Sequence, residues 1–75
     1  MGKVDYLVYV IIGVNGFIQN IEVISSNPNI EDLLSRRLSG FTKIDYRSWG
    51  DKITFVKGNT RIAIPTDNVI IEYNL

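Results

Sequence analysis

The side chains best suited to chemical recognition are the basic and aromatic ones between positions 41 and 64. In the predicted strand register five of them face outward together: Lys43, Arg47, Trp49, Lys52 and Arg61. Guanidinium and ammonium groups beside a planar indole can bind phosphates and stack on nucleic-acid bases. Tryptophan and arginine are also the residues that dominate protein–protein hot spots. The sequence therefore predicts a binding face here, with an ordinary solvated strand surface as the alternative.

No catalytic centre is predicted. The chain contains no histidine and no cysteine, and these side chains supply most nucleophiles, most bases near neutral pH and most transition-metal ligands. The carboxylates are scattered over turns, strand edges and the start of a helix, and the serine pair at 25–26 has no base beside it in sequence. We therefore predict a protein that is not an enzyme and that needs neither a metal ion nor a cofactor.

Length and charge restrict the possible partners. The 75 residues allow one domain, 1–75, with a formal net charge of zero. A chain this short buries roughly 60% of its unfolded surface, and small domains of marginal stability use disulfides, metals or oligomerisation. Because cysteine is absent, homo-oligomerisation is the leading expectation, and an unusually apolar core is the alternative. The neutral total disfavours a wholly electrostatic nucleic-acid binder.

The N-terminal apolar run does not indicate a membrane protein or a secreted one. Residues 7–12 are far fewer than the ~20 of a membrane span, and they lack the small-residue cleavage site of a signal peptide. We expect a soluble protein of the cytoplasm.

A β-hairpin is predicted from residues 4–14 and 17–25, because Asn15-Gly16 between two β-rich segments favours a two-residue type I′ turn. That turn would place Ile12 opposite Gln19 and Val14 opposite Phe17. One face of the hairpin is then apolar and should pack on a helix. The other face also carries apolar side chains: Leu7, Tyr9, Ile11, Ile18 and Ile24. A half-solvated sheet should alternate more cleanly, so we expect barrel closure, self-association or a ligand groove to cover this face.

A short helix is predicted to follow Asn27-Pro28-Asn29, where either asparagine could be the N-cap. Its apolar stripe is expected to be Ile30, Leu33, Leu34 and Leu38, and Gly40 is suited to the position after the C-cap.

Four more strands are predicted at 41–49, 52–57, 60–64 and 69–73. Two-residue turns at Gly50-Asp51 and Gly58-Asn59 would place both Tyr46 and Ile62 opposite Phe55. The resulting fold class is α+β, a small antiparallel sheet or partly open barrel of order β-β-α-β-β-β-β with one short helix packed on the sheet.

These features lead to one hypothesis for function and two alternatives. The first is a small interaction module that self-associates and binds another protein to regulate or inhibit it. The alternatives are a nucleic-acid-binding domain that uses the basic and aromatic face, and an oligomer that sequesters a small anionic ligand such as a nucleotide. A dedicated nucleic-acid binder is usually more basic and shows several exposed aromatic residues, so the neutral total favours a protein partner.

Overall fold

The computed structural model describes residues 5–46 and 50–74. Within them, six strands and one α-helix follow the predicted order, and a short 3-10 helix, Thr66–Asn68, precedes the last strand. The elements are β1 Tyr6–Ile12, β2 Ile18–Ser25, α1 Pro28–Leu38, β3 Lys43–Asp45, β4 Lys52–Lys57, β5 Thr60–Pro65 and β6 Val69–Tyr73. The predicted α+β class and element order are confirmed.

The strands form two three-stranded sheets, in the orders β2-β1-β6 and β3-β4-β5. The backbone N–H of Ile18 donates to the carbonyl of Thr42 at 2.8 Å and joins the two sheets at one corner. β1 and β6 are parallel, with Val8 opposite Val69. This parallel pair differs from the predicted all-antiparallel arrangement, because parallel neighbours come from distant parts of a chain and no local turn signal marks them.

The core lies where the inner faces of the two sheets and the helix meet. Val8, Val10 and Phe55 are fully buried, and Ile12 and Leu38 are almost so. α1 packs on β2, with Leu38 buried and Leu34 half-buried against the same core. Leu33, predicted to belong to the apolar stripe, is 56% exposed.

The first hairpin keeps the predicted register from Tyr6 opposite Ser25 as far as Ile11 opposite Asn20. Beyond that point a bulge places Ile12 opposite Ile18, so the predicted pairing of Ile12 with Gln19 is wrong. The extra residue in β2 turns Ile18 inward, where it packs against the core.

The turn of this hairpin is also longer than predicted. Gly13 N–H donates to the Phe17 carbonyl at 2.9 Å, and Gly16 N–H donates to the Gly13 carbonyl at 2.9 Å. Within this turn Gly16 alone has a positive φ, at 83°, whereas a type I′ turn needs two such residues. The loop is therefore three residues long with glycine at the left-handed position, and Val14 does not pair with Phe17.

The helix begins and ends at the predicted signals. Asn27 is the N-cap, since its Oδ1 accepts from the backbone N–H groups of Asn29 at 2.9 Å and Ile30 at 3.4 Å. Pro28 occupies the first helical turn, where its missing N–H costs no hydrogen bond. Gly40, with φ 85°, follows the C-cap Ser39.

The second sheet confirms the β4–β5 register, with Phe55 opposite Ile62 across the Gly58-Asn59 turn. β3 is shifted by two residues from the prediction, because Ile44 rather than Tyr46 lies opposite Phe55. A shift of two preserves the faces of a strand, but it leaves Tyr46 beyond the ladder and 45% exposed. The predicted two-residue turn at Gly50-Asp51 is therefore wrong.

The helical content gives no indication of a membrane span. Within the described ranges no helix combines the length and the apolar character that crossing a bilayer requires.

Candidate functional site

A groove of about 810 Å³ lies between the first hairpin turn and the outer face of the β3-β4-β5 sheet. The turn contributes Asn15, Gly16 and Phe17, and the sheet side includes Lys43, Tyr46 and Arg61. Its volume falls within the roughly 300–1,000 Å³ typical of small-molecule sites. The groove is therefore large enough to hold a side-chain cluster of a partner or a small ligand.

The predicted basic and aromatic face is only partly represented in this groove. Lys43 and Arg61 line it. Lys52 is exposed on the same face of the sheet, but it lies at the end of β4 that is away from the groove. Arg47 and Trp49, which the sequence also assigned to this face, lie outside the described residues. The structure thus brings two of the five predicted side chains together.

Two aromatic residues of the groove were expected to face inward. Phe17 is 45% exposed because the three-residue loop and the bulge release it from the predicted pairing, and Tyr46 is equally exposed because the β3 ladder ends at Asp45. No residue of the sequence marks this exposure of Phe17, because a Cβ at the neighbouring Gly13 would meet the flexible end of the Gln19 side chain, at 2.8 Å, and could be accommodated.

The cations of the groove are held by neighbouring groups. Arg61 Nη1 lies 2.7 Å from Asp45 Oδ2, and the Lys43 ammonium lies 5.5 Å from the centroid of the Phe17 ring. Cation–π contacts at exposed sites contribute about 0.5–1 kcal/mol. Two cations and one carboxylate give these three side chains a net charge of +1. The groove can therefore attract an anion only weakly, but it presents its cations in defined positions.

Tyr46 connects the groove to β6. Its hydroxyl lies 3.2 Å from the hydroxyl of Tyr73. Partial burial, followed by this hydrogen bond and the charge of an ionised Tyr73, raises the pKa of Tyr46 to about 12. Tyr46 is therefore a neutral phenol at physiological pH, able to donate or accept a hydrogen bond but not to act as a base.

A second surface lies on the outer side of the β2-β1-β6 sheet. Its apolar side chains are Leu7, Tyr9, Ile11, Ile24 and Ile70, which we call the apolar outer face. Leu7, Ile24 and Ile70 are 38%, 51% and 45% exposed. Ile18, predicted here, packs on the core instead. The sequence missed Ile70 because the place of β6 beside β1 has no local signal.

Two carboxylates accompany the apolar outer face. Glu22 and Ile70 both lie opposite Tyr9, one on each neighbouring strand, and Glu72 lies opposite Ile11. The Tyr9 hydroxyl donates to Glu72, and this hydrogen bond, ahead of desolvation and nearby negative charge, raises the pKa of Tyr9. The face is therefore apolar at its centre and acidic beside it.

The chemistry of both surfaces suits binding. Aromatic rings, ammonium and guanidinium groups recognise partners by stacking and ion pairing. Among the residues that the structure describes, no group of three or more potential ligand side chains could hold a metal ion.

Comparisons with protein-family models, with curated proteins and with solved structures found no match for this chain.

Proposed function

We propose that the protein is a small, non-enzymatic interaction module that self-associates and uses the groove to bind, and thereby regulate or inhibit, another protein. The observation that carries this proposal is the groove itself. It gathers two half-exposed aromatic rings, Phe17 and Tyr46, beside the cations Lys43 and Arg61. Aromatic residues and arginine are enriched in the centres of protein interfaces.

The charge of the groove favours a protein over a nucleic acid. Nucleic-acid affinity depends mainly on neutralised phosphates, each of which requires a cation. Arg61 is already paired with Asp45, and the whole chain is neutral. A partner segment with an apolar or aromatic side chain flanked by a carboxylate would complement this surface and would require fewer cations than a nucleic acid does. Arg47 and Trp49 stay sequence-based candidates for the same interface.

The experiment compares partner capture by two charge reversals on one face of the sheet. Lys43→Glu removes a cation from the groove, whereas Lys52→Glu makes the same change at the far end of β4. We expect Lys43→Glu to weaken binding of the captured partner about tenfold, or ~1.4 kcal/mol, because a charge-assisted contact is lost. Lys52→Glu should bind like the wild type. Circular dichroism of both variants verifies that the domain is folded.

Two results would contradict the proposal or redirect it. Equal capture by the wild type and Lys43→Glu would exclude the groove as the protein-binding site. Equal weakening by both variants, with a steep dependence on salt, would instead support nucleic-acid binding through general positive charge.

A small anionic ligand is the second candidate, because the groove volume of about 810 Å³ suits a molecule such as a nucleotide. Phe17 offers a ring for stacking, and Lys43 a charge for phosphate. Equilibrium dialysis against a panel of nucleotides tests this candidate. Retention of a nucleotide by the wild type and its loss in Lys43→Glu would favour it, whereas uniformly absent retention would exclude it.

A further inference from the structure

One side of strand β6 is an open sheet edge. In the order β2-β1-β6, β6 pairs with β1 alone, and no other strand of residues 5–46 and 50–74 pairs with it. The N–H of Asn74 donates to the carbonyl of Ile12 at 2.8 Å. Backbone groups alternate in direction along a strand, so those of Ile70 and Glu72 also point toward β1. The N–H and C=O groups of Ile71 and Tyr73 and the C=O of Val69 therefore point away from the sheet without a partner strand, whereas the N–H of Val69 donates to the Thr66 carbonyl.

This edge lacks most of the features that usually prevent a strand from pairing with another chain. Such features are charged side chains, above all lysine, proline on the edge, bulges and very short strands. β6 has the sequence VIIEY, without lysine or proline, and its ladder with β1 runs without a register shift. Its one charged residue, Glu72, accepts a hydrogen bond from the Tyr9 hydroxyl on the neighbouring strand. Within the described part of the chain, the edge is thus available for a further strand.

We propose that β6 pairs with β6 of a second copy of this chain, antiparallel about a two-fold axis at Ile71. The β2-β1-β6 sheets of the two copies then become one continuous sheet of six strands. This proposal rests on the self-association in the proposed function and assigns the surface that brings it about. Because both backbone groups of Ile71 point outward, Ile71 and the partner's Ile71 exchange both of their hydrogen bonds.

The charge pattern of β6 favours a second copy in this register. With Ile71 on the axis, all five residues pair, and Glu72 lies opposite the partner's Ile70. An axis at Glu72 would place two carboxylates directly opposite each other, which is destabilising. The chain has no net charge, so two copies approach without long-range repulsion.

The side chains at the ends of β6 are also complementary to each other. Tyr73, 53% exposed, would lie opposite the partner's Val69. Pairs of an aromatic and a β-branched side chain stabilise neighbouring strands. Both ends of the five-residue ladder then carry the same favourable pair, as a two-fold axis requires.

The test measures the dissociation constant of the dimer by sedimentation equilibrium. Ile70→Glu places a carboxylate opposite the partner's Glu72 in a non-hydrogen-bonded pair, where side chains approach most closely. Two such pairs form in each dimer, so we expect the dissociation constant to rise about tenfold. Combining Ile70→Glu with Glu72→Lys should restore the wild-type value, because each repulsive pair becomes an attractive one.

Ile24→Glu is the matched control. It makes the same change at an exposed position of the apolar outer face, but on β2, away from the β6 edge. We expect it to leave the dissociation constant unchanged. Amide hydrogen exchange adds an independent measurement, since the N–H groups of Ile71 and Tyr73 should become protected as the protein concentration rises.

The possible outcomes distinguish a failure of edge pairing from a failure of partner binding in the groove. A wild-type monomer at all concentrations up to the millimolar range would overturn self-association altogether and leave groove binding to be decided by Lys43→Glu. If Ile24→Glu raised the dissociation constant of the dimer as much as Ile70→Glu, the copies would stack through the apolar outer face, and edge pairing would be wrong. Failure of the double variant to restore the dimer would exclude the Ile71 register.

Discussion

Tyr46 acts in two places at once, since its ring lines the groove and its hydroxyl contacts Tyr73 of β6. The hydroxyl explains why burying this residue opposite Phe55 would be unfavourable. Ile44 has no polar atom and occupies that site instead, at 5% exposure. Tyr46 instead lies beyond the ladder, where its hydroxyl reaches the hydroxyl of Tyr73 and its ring stays half-exposed.

The raised pKa of Tyr46 predicts a loss of stability at alkaline pH. Its pKa is about 12 in the folded protein and about 10 in an unfolded chain. Above pH ~10 the unfolded chain therefore releases a proton that the folded protein retains, so the free energy of unfolding falls until the pH reaches about 12. Below pH ~10 the contribution of Tyr46 is fully present.

Tyr46→Phe isolates this effect in urea unfolding measured from neutral pH to strongly alkaline pH. The variant should be less stable near neutrality, because Tyr73 loses its hydrogen-bond partner. Its stability should also fall less steeply above pH ~10 than that of the wild type. Groups that do not contact Tyr46 are the same in both proteins, so their effects cancel in the difference. If the free energy of unfolding fell equally steeply with pH in the two proteins, the raised pKa of Tyr46 would be contradicted.

At the scale of elements, local signals predicted what they control directly. The N-cap Asn27, the glycine after the helix and the β4–β5 turn each depend on a few adjacent residues, and the structure confirms them. Asn15-Gly16 was misleading because asparagine followed by glycine suits both a two-residue and a three-residue hairpin loop. One added loop residue was enough to expose Phe17 and so to create a wall of the groove.

The parallel pair of β1 and β6 had no signal of this kind. Its hydrogen bonds are set by the packing of the whole sheet, and its alternating apolar residues suit several neighbours equally well. For that reason the sequence predicted Leu7, Tyr9, Ile11 and Ile24 as a surface needing cover but could not add Ile70.

The capping of the helix gives a direct test at this scale. Asn27→Ala removes the acceptor of the Asn29 and Ile30 N–H groups, and we expect the free energy of unfolding to fall by about 1 kcal/mol. Asn29→Ala changes the same kind of residue inside the first turn, where its side chain has no capping role, and should have little effect. Urea unfolding of both variants provides the measurement. An equal loss in the two would show that Asn27 is not the cap.

At the scale of the whole molecule, stability depends on a small core. A domain of 75 residues is expected to have a free energy of unfolding of about 4–11 kcal/mol. The fully buried Phe55 lies between Ile44 and Ile62 at the centre of its sheet. The core therefore has little capacity to tolerate a cavity.

Phe55→Ala should lower the free energy of unfolding by about 3–5 kcal/mol, through lost burial and the cavity left behind. Phe17→Ala is the matched control, because the same ring is removed from a half-exposed position in the groove. Its effect on thermal unfolding should be small, although partner binding should weaken. A large loss of stability in Phe17→Ala would mean that the ring supports the fold and that its place in the groove is incidental.

The parallel pairing of β1 with β6 also determines when folding can finish. Tyr9 and Glu72, which contact each other across this pair, are 63 positions apart in the chain. The β1–β2 hairpin and the β4–β5 hairpin can each form from neighbouring residues, but a hairpin alone is only marginally stable in water. The sheet that carries the apolar outer face acquires its third strand only after the longest loop in the molecule has closed, and such distant contacts slow folding. Until β6 docks, one edge of β1 is as open as the outer edge of β6 is afterwards, so the same molecule exposes an unpaired strand both while it folds and when it meets another copy.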